Sequence, residues 1–231
     1  MKKNSIYLFL LISFFGCVKP VLLSNTYFRG QSRVGLYLVV NNIEHFKYRS
    51  YPGLGGLGVI INDVLALSNH SKYRKAFIEI DASLNPTEKI KNMYTQTFES
   101  KGKDIKNIET LISDNKPLNT FEVPNSTKKY FNIDLRFIKE KYQLDELLVV
   151  NVTYGIYSEY VYGLESTRAG FTVIRPTLIN LTDNSIMYNK RTYVKLPFEE
   201  EWEIPPAYEN LKRGILASID TAVVIEKSKY K

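Results

Sequence analysis

The sequence is poor in the residues that most often carry redox and metal chemistry. Its 231 residues include one cysteine, Cys17, and two histidines, His45 and His70. A single cysteine cannot form an intramolecular disulfide, and neither histidine has a second metal ligand at helical spacing. We expect both histidines to face solvent. Ser158 and Ser166 lack a G-x-S-x-G context, which argues against a serine hydrolase.

Long apolar runs are also absent, except at the amino terminus. Residues 1–20 read MKKNSIYLFLLISFFGCVKP, so that two lysines precede an almost continuous apolar stretch, Ile6 to Phe15. A stretch of about ten residues is typical of a signal peptide and well short of the roughly 20 that a membrane-spanning helix needs. The leader therefore predicts export.

The end of this leader carries a more specific pattern. Phe14-Phe15-Gly16-Cys17 resembles the lipobox of bacterial lipoproteins, in which a small residue precedes a cysteine that takes a diacylglycerol before cleavage. That family usually has Leu and a small residue where this chain has Phe14 and Phe15. The resemblance implies that residues 1–16 are a signal peptide and that Cys17 is lipidated. The alternative is an ordinary signal peptide, or an uncleaved anchor, with an incidental cysteine.

The resemblance also bears on location. One acyl chain gives only marginal binding, so two or three chains, such as palmitate, are needed for a stable anchor. Val18 follows the cysteine, where many enterobacterial lipoproteins of the inner membrane have aspartate. This favours the outer membrane of a cell with two membranes, with the domain facing the periplasm or the cell exterior.

Charge sets limits on partners. The net charge of +7 falls to +5 once Lys2 and Lys3 leave with the leader, and it is spread along the chain. The basic residues do not cluster with stacking aromatics, so we predict no nucleic-acid partner. A solvated lysine-rich surface is expected. Attraction to anionic lipid headgroups is the alternative, at about 1 kcal/mol for each basic residue near the membrane.

Apolar periodicity divides the mature chain into a polar tether, residues 17–33, and one globular domain, residues 34–231. Strands and helices are expected to alternate. The strands are predicted at Val34–Val40, Ala76–Ile80, Ile105–Ile112 and Leu147–Tyr154, and the helices at Val59–Leu67, Pro86–Gly102, Asp134–Tyr142 and after Pro206. Phe171–Leu181 and Ser185–Leu196 are predicted to form a hairpin around Thr182-Asp183-Asn184.

This order predicts an α/β domain with a mixed sheet, an antiparallel hairpin in its second half, flanking helices and a C-terminal amphipathic helix. The segment 142–151 (YQLDELLVVN) and the following hairpin (TLINLTDNSIMYNKR) resemble envelope lipoprotein domains of the curli secretion CsgG type and the amino-terminal domain of TolB. Members of that group mostly serve envelope assembly or secretion and are not enzymes. The resemblance implies a non-enzymatic role.

One motif imitates a cofactor site. Residues 53–58 (GLGGLG) match G-x-G-x-x-G, and Glu79 and Asp81 follow at the spacing of a dinucleotide-binding fingerprint. The preceding HFKYRSYP, however, does not have the pattern of a buried strand, and an exported protein has no ready supply of such cofactors. We predict a glycine-rich turn and no bound cofactor, with contact to a protein partner as the alternative.

Aromatic residues and prolines before the last helix predict a rigid surface. The candidate partner surface is Trp202, Pro205, Pro206, Tyr208, Tyr160 and Tyr162. The last two lie in an expected loop, residues 155–168, that also carries Tyr157. Such a surface has the composition of an interface hot spot. The alternative is that the segment only clamps the last helix onto the sheet.

We therefore expect a non-enzymatic envelope lipoprotein with a structural, assembly or partner-binding role, bound to a protein partner or to copies of itself. One alternative is a cell-wall- or lipid-directed enzyme that uses Glu79, Asp81 or the acidic run at 199–203. Adjacent acidic residues more often form a solvated loop than a carboxylate pair across a cleft. Another is a lipid- or ligand-carrying domain, which needs a large apolar cavity. No catalytic or metal-binding residue is predicted.

Overall fold

The computed structural model describes residues 20–50, 61–66, 86–111, 119–198, 201 and 208–230. Several predicted features lie outside these ranges: Cys17, the glycine motif 53–58, His70, the strand at Ala76–Ile80, Glu79, Asp81, Trp202, Pro205 and Pro206.

The described part of the chain forms a mixed sheet with helices on both faces. Its strands are β1 (Arg33–Val40), β2 (Glu44–Ser50), β3 (Ile61–Ala66), β4 (Asp104–Asn107), β5 (Glu146–Val161), β6 (Leu164–Asn180), β7 (Ile186–Tyr188) and β8 (Thr192–Pro197). Its helices are α1 (Pro86–Glu99), α2 (Phe137–Tyr142) and α3 (Glu209–Ser228), and Tyr27–Arg29 is a short 3-10 helix. The predicted α/β class with a mixed sheet is confirmed.

A long antiparallel hairpin of β5 and β6 forms the centre of the sheet. The first half of β5 pairs in parallel with β1, and its second half pairs in parallel with β2 on the same edge. The change falls at Gly155, where φ is +147° and a Cβ atom would lie 2.0 Å from the Glu44 carbonyl oxygen. Glycine is therefore required where β2 meets β5.

Helices α1 and α3 cover the first face of the sheet. Leu211, Ile215 and Ile219 recur at four-residue intervals, which places them on one stripe of α3, and all three are fully buried. α3 lies close to β6, because the Thr172 and Ser218 hydroxyls are hydrogen-bonded at 2.8 Å. On α1, Ile90, Met93, Thr97 and Phe98 are all buried.

A buried carboxylate ties these elements together. Glu226 of α3 is 0% exposed. Its Oε1 accepts hydrogen bonds from the hydroxyls of Tyr94 (3.0 Å) and Tyr230 (2.9 Å). Its Oε2 accepts from Thr192 Oγ1 (2.5 Å) and from Lys229 Nζ (2.7 Å). Both oxygens of this side chain are thus satisfied by hydrogen bonds from α1, β8 and the end of α3.

Alkaline pH is expected to unfold the domain steeply. Burial raises the pKa of Tyr27, Tyr94, Tyr188 and Tyr230 above the ordinary value near 10. Their protons stabilise the fold fully below that pH. As pH rises further, these tyrosines ionise first in the unfolded chain. The free energy of unfolding then falls by up to about 1.4 kcal/mol per pH unit for each of them. Circular dichroism and tyrosinate absorbance should change together; gradual ionisation with the fold retained would contradict the expectation.

Helix α2 covers half of the second face. Leu135 and Ile138 are buried against Leu147 and Val149 of β5. The loop that precedes α2 is held by Asn184, in the predicted hairpin turn. Its side-chain amide accepts from the Leu135 N–H at 3.1 Å and donates to the backbone oxygens of residues 131 and 133 at 2.9 Å.

Two local predictions are wrong. Val59–Leu67 is predicted to be helical, but residues 61–66 form β3, which pairs with β2 in antiparallel fashion. The segment HFKYRSYP, which lacks the pattern of a buried strand, contributes most of β2, whose described side chains are mostly half-buried. The loop expected at 155–168 is instead the end of β5 and the start of β6, joined by a turn at Tyr162 and Gly163 with φ of +51° and +81°. In each case pairing with another strand outweighs the local pattern.

The predicted tether is also wrong from Val21 onward. The Val21 N–H donates to Asn189 Oδ1 at 2.6 Å, and the Asn189 N–H donates to the Val21 carbonyl at 3.1 Å. Tyr27 is 8% exposed and its hydroxyl donates to Glu146. Leu23 and Phe28 pack against the core of the first face. None of the described helices is long and apolar enough to cross a membrane.

Candidate functional site

The other half of the second face carries an aromatic depression in the sheet. Helices α1 and α3 lie on the first face, and α2 covers only the half of the second face that lies away from this depression. A groove of about 360 Å³ crosses β2, β5, β6 and the start of β8. We call this site the aromatic groove; it is lined by Glu44, Phe46, Thr153, Tyr157, Phe171, Val173, Arg175, Arg191 and Tyr193.

Strand alternation and register bring these side chains together. Successive residues of a strand point to opposite faces, so Phe171, Val173 and Arg175 share the second face. Phe46 is paired with Tyr157 across β2 and β5, and Val173 is paired with Tyr193 across β6 and β8. The groove is thus assembled from four chain segments.

The floor of the groove is a packed aromatic cluster. The rings of Phe46 and Tyr157 are stacked, with centroids 5.7 Å apart and planes at 14°. Phe46 also lies 6.5 Å from Phe171. Tyr157 is 9% exposed and Phe171 4%, whereas Tyr193 at the rim is 51% exposed. The floor is therefore fixed in shape, and one tyrosine is presented to solvent.

Charged groups surround this floor. Lys195 Nζ lies 4.4 Å above the Tyr157 ring and 3.8 Å from a Glu159 carboxylate oxygen. Burial, followed by the charge of Glu159, raises the pKa of Tyr157 to about 12. Burial also raises the pKa of Glu44, and the guanidinium of Arg175 partly offsets this rise. The site combines an apolar floor with a cationic rim and one partly desolvated carboxyl.

The described members of the predicted partner surface do not form one surface in the structure. Tyr208 is 9% exposed and belongs to the core of the first face, at the start of α3. This burial fits the clamping alternative for its segment. Tyr162 is 60% exposed in the β5–β6 turn, and Tyr160 is half-buried nearby in β5. The sequence signal that could have found the groove is the alternation of aromatic residues at 46 and 48 and of apolar residues at 171 and 173.

The expectation that His45 faces solvent is wrong. His45 is 6% exposed, and its Nε2 lies 2.9 Å from the Ser158 hydroxyl oxygen. A serine beside a histidine is the core of a nucleophile–base pair. Ser158 is only 1% exposed, however, so a substrate cannot reach it while β2 and β5 stay paired. The contact stabilises that strand pair.

The other chemical candidates gain no support from the described residues. Among them, no group of three His, Cys, Asp or Glu side chains converges as a metal site. Of the acidic run at 199–203, the structure describes only Glu201, which is exposed.

This architecture defines an α/β domain with an aromatic groove on a mixed sheet. No family model matches the chain, and no curated protein matches it. Among solved structures, it is similar to a Xanthomonas campestris protein of the DUF330 family model, with 10% identity and a TM-score of 0.36 over 91% of this chain and 90% of that one.

A second similar structure is a dodecamer of a PelC variant from Paraburkholderia phytofirmans. The identity is 8% and the TM-score 0.28, over 89% of this chain and 95% of that one. Likenesses at these scores transfer neither a function nor an assembly state.

Proposed function

We propose that this chain is a cell-envelope lipoprotein, anchored by lipid on Cys17, whose domain binds a protein partner through the aromatic groove. The observation that carries the proposal is the leader that ends at Gly16-Cys17, because it resembles the lipobox at which bacterial lipoproteins are lipidated. The non-enzymatic assignment is part of the proposal, and so is the outer-membrane location in a cell with two membranes.

The groove supports the binding role. Interface hot spots are enriched in tyrosine and arginine and lie over desolvated floors. Here Tyr193 stands beside a buried aromatic floor, and Arg175 and Arg191 line the same groove. An apolar side chain of the partner would fill the floor, and a carboxylate beside it would pair with the arginines. A homo-oligomer is the case in which the partner is another copy of this chain.

Cys17→Ser is expected to abolish lipidation. Serine has no thiol to acylate, and no other cysteine can replace it. The variant should lose the mass of the lipid and keep residues 1–16, so its apolar leader should still hold it in the membrane. Intact-mass measurement of the membrane fraction checks both changes. A variant with the processed mass of the parent would contradict the lipid anchor.

Tyr193→Ala should weaken partner capture about 30-fold, the effect of losing roughly 2 kcal/mol at a hot spot. Tyr162→Ala is the matched control, because Tyr162 has similar exposure (60% against 51%) but lies in the β5–β6 turn. Crosslinking of the full-length protein in native membranes, followed by quantitative recovery, compares the two. Equal capture by Tyr193→Ala and the parent would overturn the role of the groove.

A further inference from the structure

We propose that the domain rests on anionic phospholipid headgroups through the end that carries its amino terminus. The proposal rests on the lipid anchor proposed above and adds an orientation and a second membrane contact. It starts from the finding that the chain is fixed to the domain from Val21 onward.

The chain between anchor and domain is short. Three residues separate Cys17 from Val21, and the four steps from one Cα atom to the next span at most about 14 Å in any conformation. Val21 is fixed to Asn189 by hydrogen bonds in both directions, at 2.6 and 3.1 Å. An acylated Cys17 would therefore hold Asn189 and its neighbours within reach of the headgroup layer.

Several elements meet at this end, which we call the anchor end and define as residues 21–33, 99–104, 145–146, 188–190 and 226–230. The strands β1, β4 and β5 begin there, and α1 and α3 end there. Aromatic rings close it: Phe28 lies 5.7 Å from Phe98, which lies 5.6 Å from Tyr230, which lies 5.6 Å from Tyr188. The anchor end is thus one rigid surface.

The chemistry of the anchor end suits a lipid surface. Leu22 is 64% exposed next to the fixed Val21. Arg29, Lys190 and Lys227 are exposed, and Lys101 is half-exposed above the Phe28 ring at 5.1 Å. Lysine and arginine close to a membrane are attracted by anionic headgroups, and an exposed leucine can enter the interface.

Acidic residues at the same end do not cancel this charge. Glu146 and Glu226 are buried, and Glu226 is paired with Lys229 at 2.7 Å. Asp145 forms an ion pair with Arg33 at 3.5 Å, so these two charges cancel. Glu99 and Asp104 are the other acids of the anchor end that solvent reaches, and against Arg29, Lys101, Lys190 and Lys227 they leave an excess of two positive charges.

The orientation has a consequence for binding. β5 starts at the anchor end and continues for 16 residues, about 50 Å at the usual rise of a strand. The β5–β6 turn, with Tyr162 60% and Leu164 76% exposed, is therefore held far from the membrane. The aromatic groove opens sideways between the two ends.

Site-specific labelling tests this arrangement. Cys17 is the only cysteine and is blocked by lipid in the mature protein, so an introduced cysteine is a unique label site. Leu22→Cys and Tyr162→Cys, matched in exposure at 64% and 60%, would carry an environment-sensitive fluorophore in the full-length acylated protein. The vesicles are phosphatidylcholine with and without phosphatidylglycerol, and the quencher is attached to the headgroups.

We expect quenching at position 22 to be several-fold stronger than at position 162, and strongest with phosphatidylglycerol. The double variant Lys190→Glu and Lys227→Glu should remove the phosphatidylglycerol-dependent part, as should high salt. Circular dichroism checks that the double variant is folded. Equal quenching at both positions, or no effect of phosphatidylglycerol, would overturn the proposal.

Intact mass of the same samples separates this proposal from the lipid anchor proposed above. An unmodified Cys17 overturns the lipid anchor, whereas an acylated protein without quenching at position 22 overturns only the orientation.

Discussion

Replacing Glu226 with leucine is expected to lower the free energy of unfolding by about 3–5 kcal/mol, the usual cost of breaking a buried charge pair from one side. The variant removes the carboxylate that accepts from four donors, on Tyr94, Tyr230, Thr192 and Lys229. Lys229 Nζ keeps its hydrogen bond to the Lys190 carbonyl oxygen at 2.9 Å. Because Glu226 is 0% exposed, water cannot take its place without opening the core. Urea unfolding followed by circular dichroism measures the loss.

Two further variants isolate the cause. Glu99→Leu removes an exposed glutamate near the end of α1 and should change stability by no more than about 0.5 kcal/mol. Combining Glu226→Leu with Lys229→Met should cost less than the sum of the two single changes, because the lysine is no longer buried without its carboxylate. If Glu226→Leu and Glu99→Leu unfold at the same urea concentration, the buried network contributes nothing.

Gly155→Ala is expected to be the second most damaging change, at roughly 2–5 kcal/mol from overpacking together with backbone strain. The new Cβ would meet the Glu44 carbonyl oxygen at 2.0 Å and the Glu44 nitrogen at 2.8 Å. Neither is the end of a flexible side chain, so β2 itself must move away from β5. Since Glu44 and Phe46 belong to β2, the aromatic groove should also lose its shape.

The chain offers two controls for this glycine. Gly163→Ala tests positive φ alone, because φ is +81° there and nothing lies within 4 Å of the new Cβ; it should cost about 1 kcal/mol. Gly30→Ala has neither the close contact nor a positive φ and should be nearly neutral. Guanidinium unfolding of the three variants gives the order. A Gly155→Ala protein no less stable than Gly163→Ala would refute the close approach of β2.

The elements that could be predicted from sequence are those whose evidence is local. The stripe of α3 at Leu211, Ile215 and Ile219, the apolar run of β1 and the turn at residues 182–184 each contain their own signal. An amphipathic helix or a strand buried on both faces must have that composition wherever it packs. These elements were sufficient to predict the α/β class.

Pairing between distant strands could not be predicted in the same way. The sequences of β2 and β3 do not have a regular strand pattern when they are taken alone. Their backbone hydrogen bonds are satisfied mainly by each other and by β5. The continuation of β5 beyond Gly155 depends on β2 and β6 in the same manner. Because this pairing could not be predicted from the sequence, the burial of His45 and the existence of the groove could not be predicted either.

The sequence by itself predicts export and lipidation, because a signal peptide is recognised as a linear pattern before the protein folds. It also determined the helices and the central strands, through local periodicity. Only the tertiary structure decided that residues 21–33 pack on the domain and that Phe46, Tyr157, Phe171 and Tyr193 line one groove. The reason is that strand register, which sets the neighbours of each side chain, depends on contacts between residues more than 100 positions apart, such as Phe46 and Tyr157.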